Sequence, residues 1–142
     1  MAGALFGMEI HLAGPSEFQP QERIQAFCKE NGLPRTWHFS TDPMEAVAEA
    51  DVVYTDVWVS MGCEEEEGDR LSKMRPYAVT ADLLAKAKPG ALFMHCMPTH
   101  PGLEVSQEVL DSPKSVIFDQ AENRLHAQKA IVTLLAREAS GS

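Results

Sequence analysis

Apolar residues along the chain come in short bursts whose spacing switches repeatedly between two and about 3.6, the periods of a strand and a helix. Gly7 to Ala13 (G-M-E-I-H-L-A) alternates and then meets Gly14-Pro15, which predicts a strand ending in a loop. Met1 to Phe6, ahead of it, reads as the last turns of a helix already begun. From Gln21 to Glu30, behind Pro20, the residues Ile24, Phe27 and Cys28 recur at helical spacing, and Asn31-Gly32 supplies a C-terminal stop. Arg35 to Ser40 predicts a second strand, after which Thr41 or Asp42 caps a helix carrying Met44, Val47 and Ala48 on one face. Val52 to Thr55 is a short, β-branched third strand.

Beyond Asp56 the pattern loosens into a long loop with an acidic stretch, Glu64 to Asp69, of a length often found in functional lids. Gly68 or Asp69 starts a short helix through Met74, and Thr80-Ala81-Asp82 starts another through Ala87. Ala91 to Met94 is an apolar run that reads as a strand buried on both faces, and it stops abruptly at His95, Cys96, Met97 and Pro98. Pro98 donates no backbone hydrogen bond and restricts Met97, so the ladder ends there and the Met97 carbonyl is free for a ligand; a cis Met97-Pro98 bond is one way to fix the turn. Glu104 to Leu110 predicts one or two helical turns, Ser115 to Phe118 a fifth strand, and Ala121 to Arg137 the terminal helix. Strands and helices thus alternate from start to finish. That specifies an α/β fold: an open, mostly parallel, doubly wound, Rossmann-like sheet of about five strands with helices on both faces. In such sheets ligands bind beyond the carboxyl ends of the strands, where His95 to Pro98 lie.

A length of 142 residues with 44% hydrophobic side chains fits one domain, residues 1–142, with a single core. No apolar stretch reaches the roughly 18 residues of a membrane span, and Met1 to Leu12 lacks the features of a secretory signal, so a soluble cytoplasmic protein with no membrane partner is expected. Cys28, Cys63 and Cys96 are odd in number and lack metal-site spacing, which favours reduced thiols. The net charge of −9 argues against nucleic acid, which requires a basic face, and against a phosphate substrate unless positive charge is gathered locally or comes from another chain.

Several residues carry candidate chemistry, each beside a plainer alternative. Asp56 and Ser60, past the third strand, suit a substrate ammonium, or simply cap the loop as ordinary turn residues do. Met61-Gly62 permits close backbone approach to a ligand. Cys96 can serve as nucleophile, polariser or inert apolar wall; a pairing with His95 is disfavoured because adjacent strand residues face opposite ways. His95, Cys96 and His100 make a poor metal set, lacking a matching pair elsewhere. Arg124, near the start of the predicted terminal helix, suits an anion site, or a surface pair with Glu122 or Asp119. Glu64 to Glu67 reads as a solvated face, because calcium needs alternating ligands and a turn glycine that this run lacks.

Taken together, Asp56-Val57-Trp58-Val59-Ser60-Met61-Gly62, then His95-Cys96-Met97-Pro98, then Ala121-Glu122-Asn123-Arg124-Leu125-His126-Ala127-Gln128 resemble, in order, the three signatures of the ornithine-binding half of the ornithine carbamoyltransferase family. The resemblance runs from about Gly3 to Arg137. It implies transfer of a carbamoyl group from carbamoyl phosphate to the δ-amine of L-ornithine, giving citrulline and phosphate in arginine or urea-cycle metabolism, with no cofactor and no metal. By the same resemblance, Asp56 binds the ornithine α-ammonium, and Ser60 and Met61 help hold the amino-acid end. Cys96 sits beside the δ-nitrogen, the Met97 carbonyl orients the amine, and Arg124 holds or polarises carbamoyl phosphate. Met97 stands where the family more commonly has leucine. The family's Ser-Thr-Arg-Thr phosphate loop and His-Pro-x-x-Gln segment have no counterpart here, and the first strand of the ornithine domain is expected to be missing. The expectation is therefore a domain truncated at its N-terminus and inactive alone, taking carbamoyl phosphate only if the missing domain is supplied, and prone to self-association through an exposed sheet edge. The alternatives are a non-enzymatic amino-acid-binding or association module and a sister carbamoyltransferase acting on another amine.

Overall fold

The computed structural model describes residues 2–20, 22–33, 37–59 and 67–141. Their order is α1 (Ala2–Leu5), β1 (Ile10–Ala13), α2 (Glu22–Glu30), β2 (Trp37–Ser40), α3 (Pro43–Val47), β3 (Val52–Thr55), α4 (Glu67–Met74), α5 (Ala81–Leu84), β4 (Leu92–His95), α6 (Gln107–Leu110) and α7 (Ile117–Ala139). The predicted alternation of strands with helical segments holds as far as β4, beyond which α6 and α7 follow with no named strand between them.

Local chemistry sets the boundaries. Asp42 caps α3 by accepting from the Met44 N–H at 2.8 Å, with Pro43 at the first helical position, where its missing N–H costs nothing. Thr80 caps α5 in the same way through the Leu83 N–H. Gly32 ends α2 in the left-handed conformation that residues with a Cβ rarely adopt (φ 63°), and the Leu33 N–H reaches back to the Cys28 carbonyl at 2.8 Å. Gly3 lets α1 lie against β1, since a Cβ there would meet Ile10 Cγ1 at 2.9 Å.

The strands are parallel and form two pairs. β1 pairs with β2 from Ile10↔Trp37 to Ala13↔Ser40, and β3 pairs with β4 from Val52↔Leu92 to Thr55↔His95. α3 links the pairs, packing against β1, β2 and α5. The core gathers on the second pair, where Phe93 and Val105 are fully buried among Val47, Val53, Leu84, Ala91, Val109 and Ile117. Burying Phe93 contributes about 2 to 3 kcal/mol.

The last quarter of the chain departs from expectation. Ser115 to Phe118 is not a fifth strand: Ser115 makes a single parallel bridge to Phe93, flanked by the hydrogen bonds Phe93 N–H to Lys114 C=O (2.8 Å) and Val116 N–H to Phe93 C=O (3.0 Å). Ile117 and Phe118 already belong to α7. Ser-Val-Ile-Phe has strand propensity, but Ile117 reaches the core as the first residue of a helix, and tertiary packing overrides so weak a local preference. α7 therefore begins four residues before the predicted Ala121. α5, predicted through Ala87, ends at Leu84.

Candidate functional site

The carboxyl ends of β3 and β4 lie side by side, because Thr55 and His95 are register partners. The residues that follow them, Asp56 and Cys96, meet: the Cys96 thiol donates to Asp56 Oδ1 at 2.8 Å across 40 positions of sequence. The same oxygen accepts from the Val57 N–H at 2.7 Å, which fixes the carboxylate to its own loop. Loss of hydration, together with the Asp56 acceptor, holds the Cys96 thiol above its usual range, so it stays protonated at neutral pH. Tyr54, one residue before the end of β3, is likewise pushed up, first by burial and then by Cys96. A cleft of about 320 Å³ opens beside Asp56, lined also by Tyr54, Trp58, Phe18, Met74 and Arg70, whose guanidinium lies 5.0 Å over the Phe18 ring. One wall is thus anionic and another cationic.

His95 faces away from this cleft. It is 1% exposed, whereas Cys96 lies at the surface, so the two neighbours point to opposite sides as alternation requires. Its Nδ1 accepts from the Met97 N–H at 2.8 Å, and its backbone N–H donates to Gln120 Oε1 at 2.9 Å. His95 Nε2 lies 3.5 Å from Oε1 of Glu104, itself 1% exposed, and that carboxylate also accepts from the His100 N–H. The buried acid therefore holds the His100 end of this segment by a hydrogen bond and lies beside the His95 ring at the other end. Between them the Met97-Pro98 bond is cis and Met97 takes a φ of 59°, a left-handed conformation that a side chain adopts only where its surroundings dictate it. These contacts also leave His95, Cys96 and His100 unable to act as a joint metal set: His95 Nδ1 is engaged by Met97, and Cys96 faces Asp56.

Arg124 is not at a helix N-terminus. It lies two turns into α7, one turn beyond Gln120 and on the same face, and is exposed. The anion-site reading that relied on free N–H groups does not apply there. The alternative surface pair is absent too: Glu122 contacts His126 at 3.5 Å, and among the described residues no hydrogen bond or ion pair engages Arg124. Gln120 ties this face of α7 to the end of β4, but no contact brings Arg124 to Asp56 or Cys96. Ser60 and Met61 lie outside the described residues. Gln120, Tyr54, Arg70 and Glu104 escaped the sequence reading; only the spacing of Gln120 and Arg124, one helical turn apart, hints at one of them.

Residues 1–135 match the family model described as aspartate/ornithine carbamoyltransferase, Asp/Orn binding domain. The ornithine carbamoyltransferase of Methanoculleus marisnigri is 48% identical over 135 residues, covering 95% of this chain and 43% of the relative. The anabolic ornithine carbamoyltransferase of Pyrococcus furiosus is 46% identical, over 95% of this chain and 44% of the relative. Among solved structures, ornithine carbamoyltransferase from Pyrococcus furiosus superposes with a TM-score of 0.82 at 46% identity, covering 94% of this chain and 43% of that one. The anabolic enzyme from Campylobacter jejuni gives 0.86 at 31% identity, over 96% and 46% of the two chains. The chain thus spans less than half the length of the relatives it matches. It belongs to the aspartate/ornithine carbamoyltransferase family, which it matches through the Asp/Orn binding domain.

Proposed function

We propose that the chain is a single ornithine-binding domain, and that with a carbamoyl phosphate-binding domain it transfers a carbamoyl group to the δ-amine of L-ornithine, giving citrulline and phosphate. The observation that carries this reading is the Asp56–Cys96 hydrogen bond, which joins two signatures that are distant in sequence. Asp56 receives the α-ammonium in a charge-assisted hydrogen bond. Arg70, on the same cleft, suits the carboxylate end, so the pair matches a zwitterionic amino acid rather than a simple diamine. Cys96, with its proton committed to Asp56, stands beside the δ-nitrogen as an uncharged group, and the Met97 carbonyl orients the amine. Ser60 and Met61 complete the amino-acid end, and Arg124 reaches carbamoyl phosphate once that substrate is brought in. The benefit is alignment of a neutral amine with the carbamoyl carbon, with fixed positive charge for the developing oxyanion. A cytoplasmic location accompanies this reading.

Calorimetric titration of the 142-residue chain with L-ornithine tests it. Saturable heat at millimolar ligand is expected, weakened at least tenfold in Asp56→Asn, with putrescine binding less well and no citrulline formed by the chain alone. Absence of heat at millimolar ornithine, or a preference for putrescine, contradicts the assignment. A second reading, an association module, draws on the exposed apolar residues of α7, among them Phe118, Leu125, Val132 and Leu135, and on the strand edges left unpaired among the described residues. Self-association in sedimentation without ornithine heat favours it.

A further inference from the structure

We propose that Glu9, His11 and His38 form a binding site for a divalent transition-metal ion of the zinc type, on the outer face of the β1–β2 pair and independent of the ornithine site. His11 and His38 are register partners on adjacent parallel strands, so both imidazoles project from the same side of the sheet. Glu9, immediately before β1, reaches the same side, where its carboxylate meets both imidazoles. The three side chains converge: His11 Nε2 lies 3.0 Å and His38 Nε2 3.5 Å from Glu9 Oε1, and the three ligand atoms all lie within 4.8 Å of one another. The two rings sit 5.1 Å apart at an interplanar angle of 31°.

Metal–nitrogen and metal–oxygen bonds of about 2.1 Å in a tetrahedron separate neighbouring ligand atoms by about 3.4 Å. The two carboxylate–imidazole distances already match that spacing, and closing the imidazole–imidazole gap takes only side-chain rotation at exposed positions. Two imidazoles and one carboxylate are a borderline-soft donor set suited to zinc, copper or nickel rather than to magnesium or calcium. Exposure leaves the remaining coordination positions to water. The bound ion would add a side-chain link between β1 and β2 to the strand ladder that already joins them.

The test is titration of the full chain with zinc chloride in chelator-free buffer, after its accessible thiols have been blocked with iodoacetamide so that Cys96 cannot contribute. One equivalent is expected to bind, shifting the imidazole resonances of His11 and His38 in NMR. His38→Ala and the isosteric Glu9→Gln, both at exposed positions, are each expected to weaken binding at least tenfold while far-ultraviolet circular dichroism is unchanged. Absence of binding at 100-fold excess zinc overturns the proposal, as does unchanged affinity in either variant.

Discussion

The two strand pairs share a topology but not a foundation. Every residue of the main core cluster lies at or beyond Val47, around β3 and β4, whereas the apolar side chains of β1 and β2, namely Ile10, Leu12, Trp37 and Phe39, are only half-buried. The site chemistry follows the packing. Asp56 and Cys96 extend directly from the well-buried pair, and the turn behind them is held by a buried carboxylate, so rigid strands rather than loops set their separation. The β1–β2 pair carries a cluster of exposed titratable groups on a thinly supported surface.

Core substitutions should separate the two strand pairs by the largest margin. Phe93→Ala is expected to cost about 3 to 5 kcal/mol, as large-to-small changes at fully buried aromatics do. Leu12→Ala, half-buried on β1, should cost about 1 kcal/mol. Urea denaturation measures both; equal losses would show that the two pairs share one core. Next in size is Glu104→Ala. It leaves the His100 N–H without its acceptor and His95 without its buried neighbour, and should destabilise by about 1 to 3 kcal/mol in the same assay. A loss below 0.5 kcal/mol would mean that this carboxylate does not hold the turn.

A smaller effect concerns the thiol. Its pKa is raised by desolvation and by Asp56, so alkylation of Cys96 is slow at neutral pH and climbs with pH until it levels off near that elevated value. Asp56→Asn removes one of the two causes and leaves the other. The pH–rate profile for iodoacetamide should move to lower pH without falling to that of a free cysteine. A shift to higher pH would contradict the contact.

What sequence alone revealed here follows from the range of the interactions involved. The caps at Asp42 and Thr80, the stop at Gly32 and the turn at Met97-Pro98 depend on a few neighbouring residues, and all were legible. So was the family, because three signatures keep their order. The fate of Ser115 to Phe118 was not, since a single bridge to Phe93 and the burial of Ile117 decide it. Arg124 was misplaced for the same reason: its distance from a helix start depends on where that helix begins. Glu104, in a stretch that reads as ordinary helix, is buried only because His95 and His100 are folded around it. Glu9, His11 and His38 converge through strand register, which no spacing within either strand reveals.

In the proposed function Asp56 and Cys96 serve one amino-acid site, so bound ornithine should shield the thiol. Millimolar L-ornithine should slow iodoacetamide modification of Cys96 several-fold in the unaltered chain and have no effect in Asp56→Asn. Equal rates with and without ornithine in the unaltered chain would contradict it.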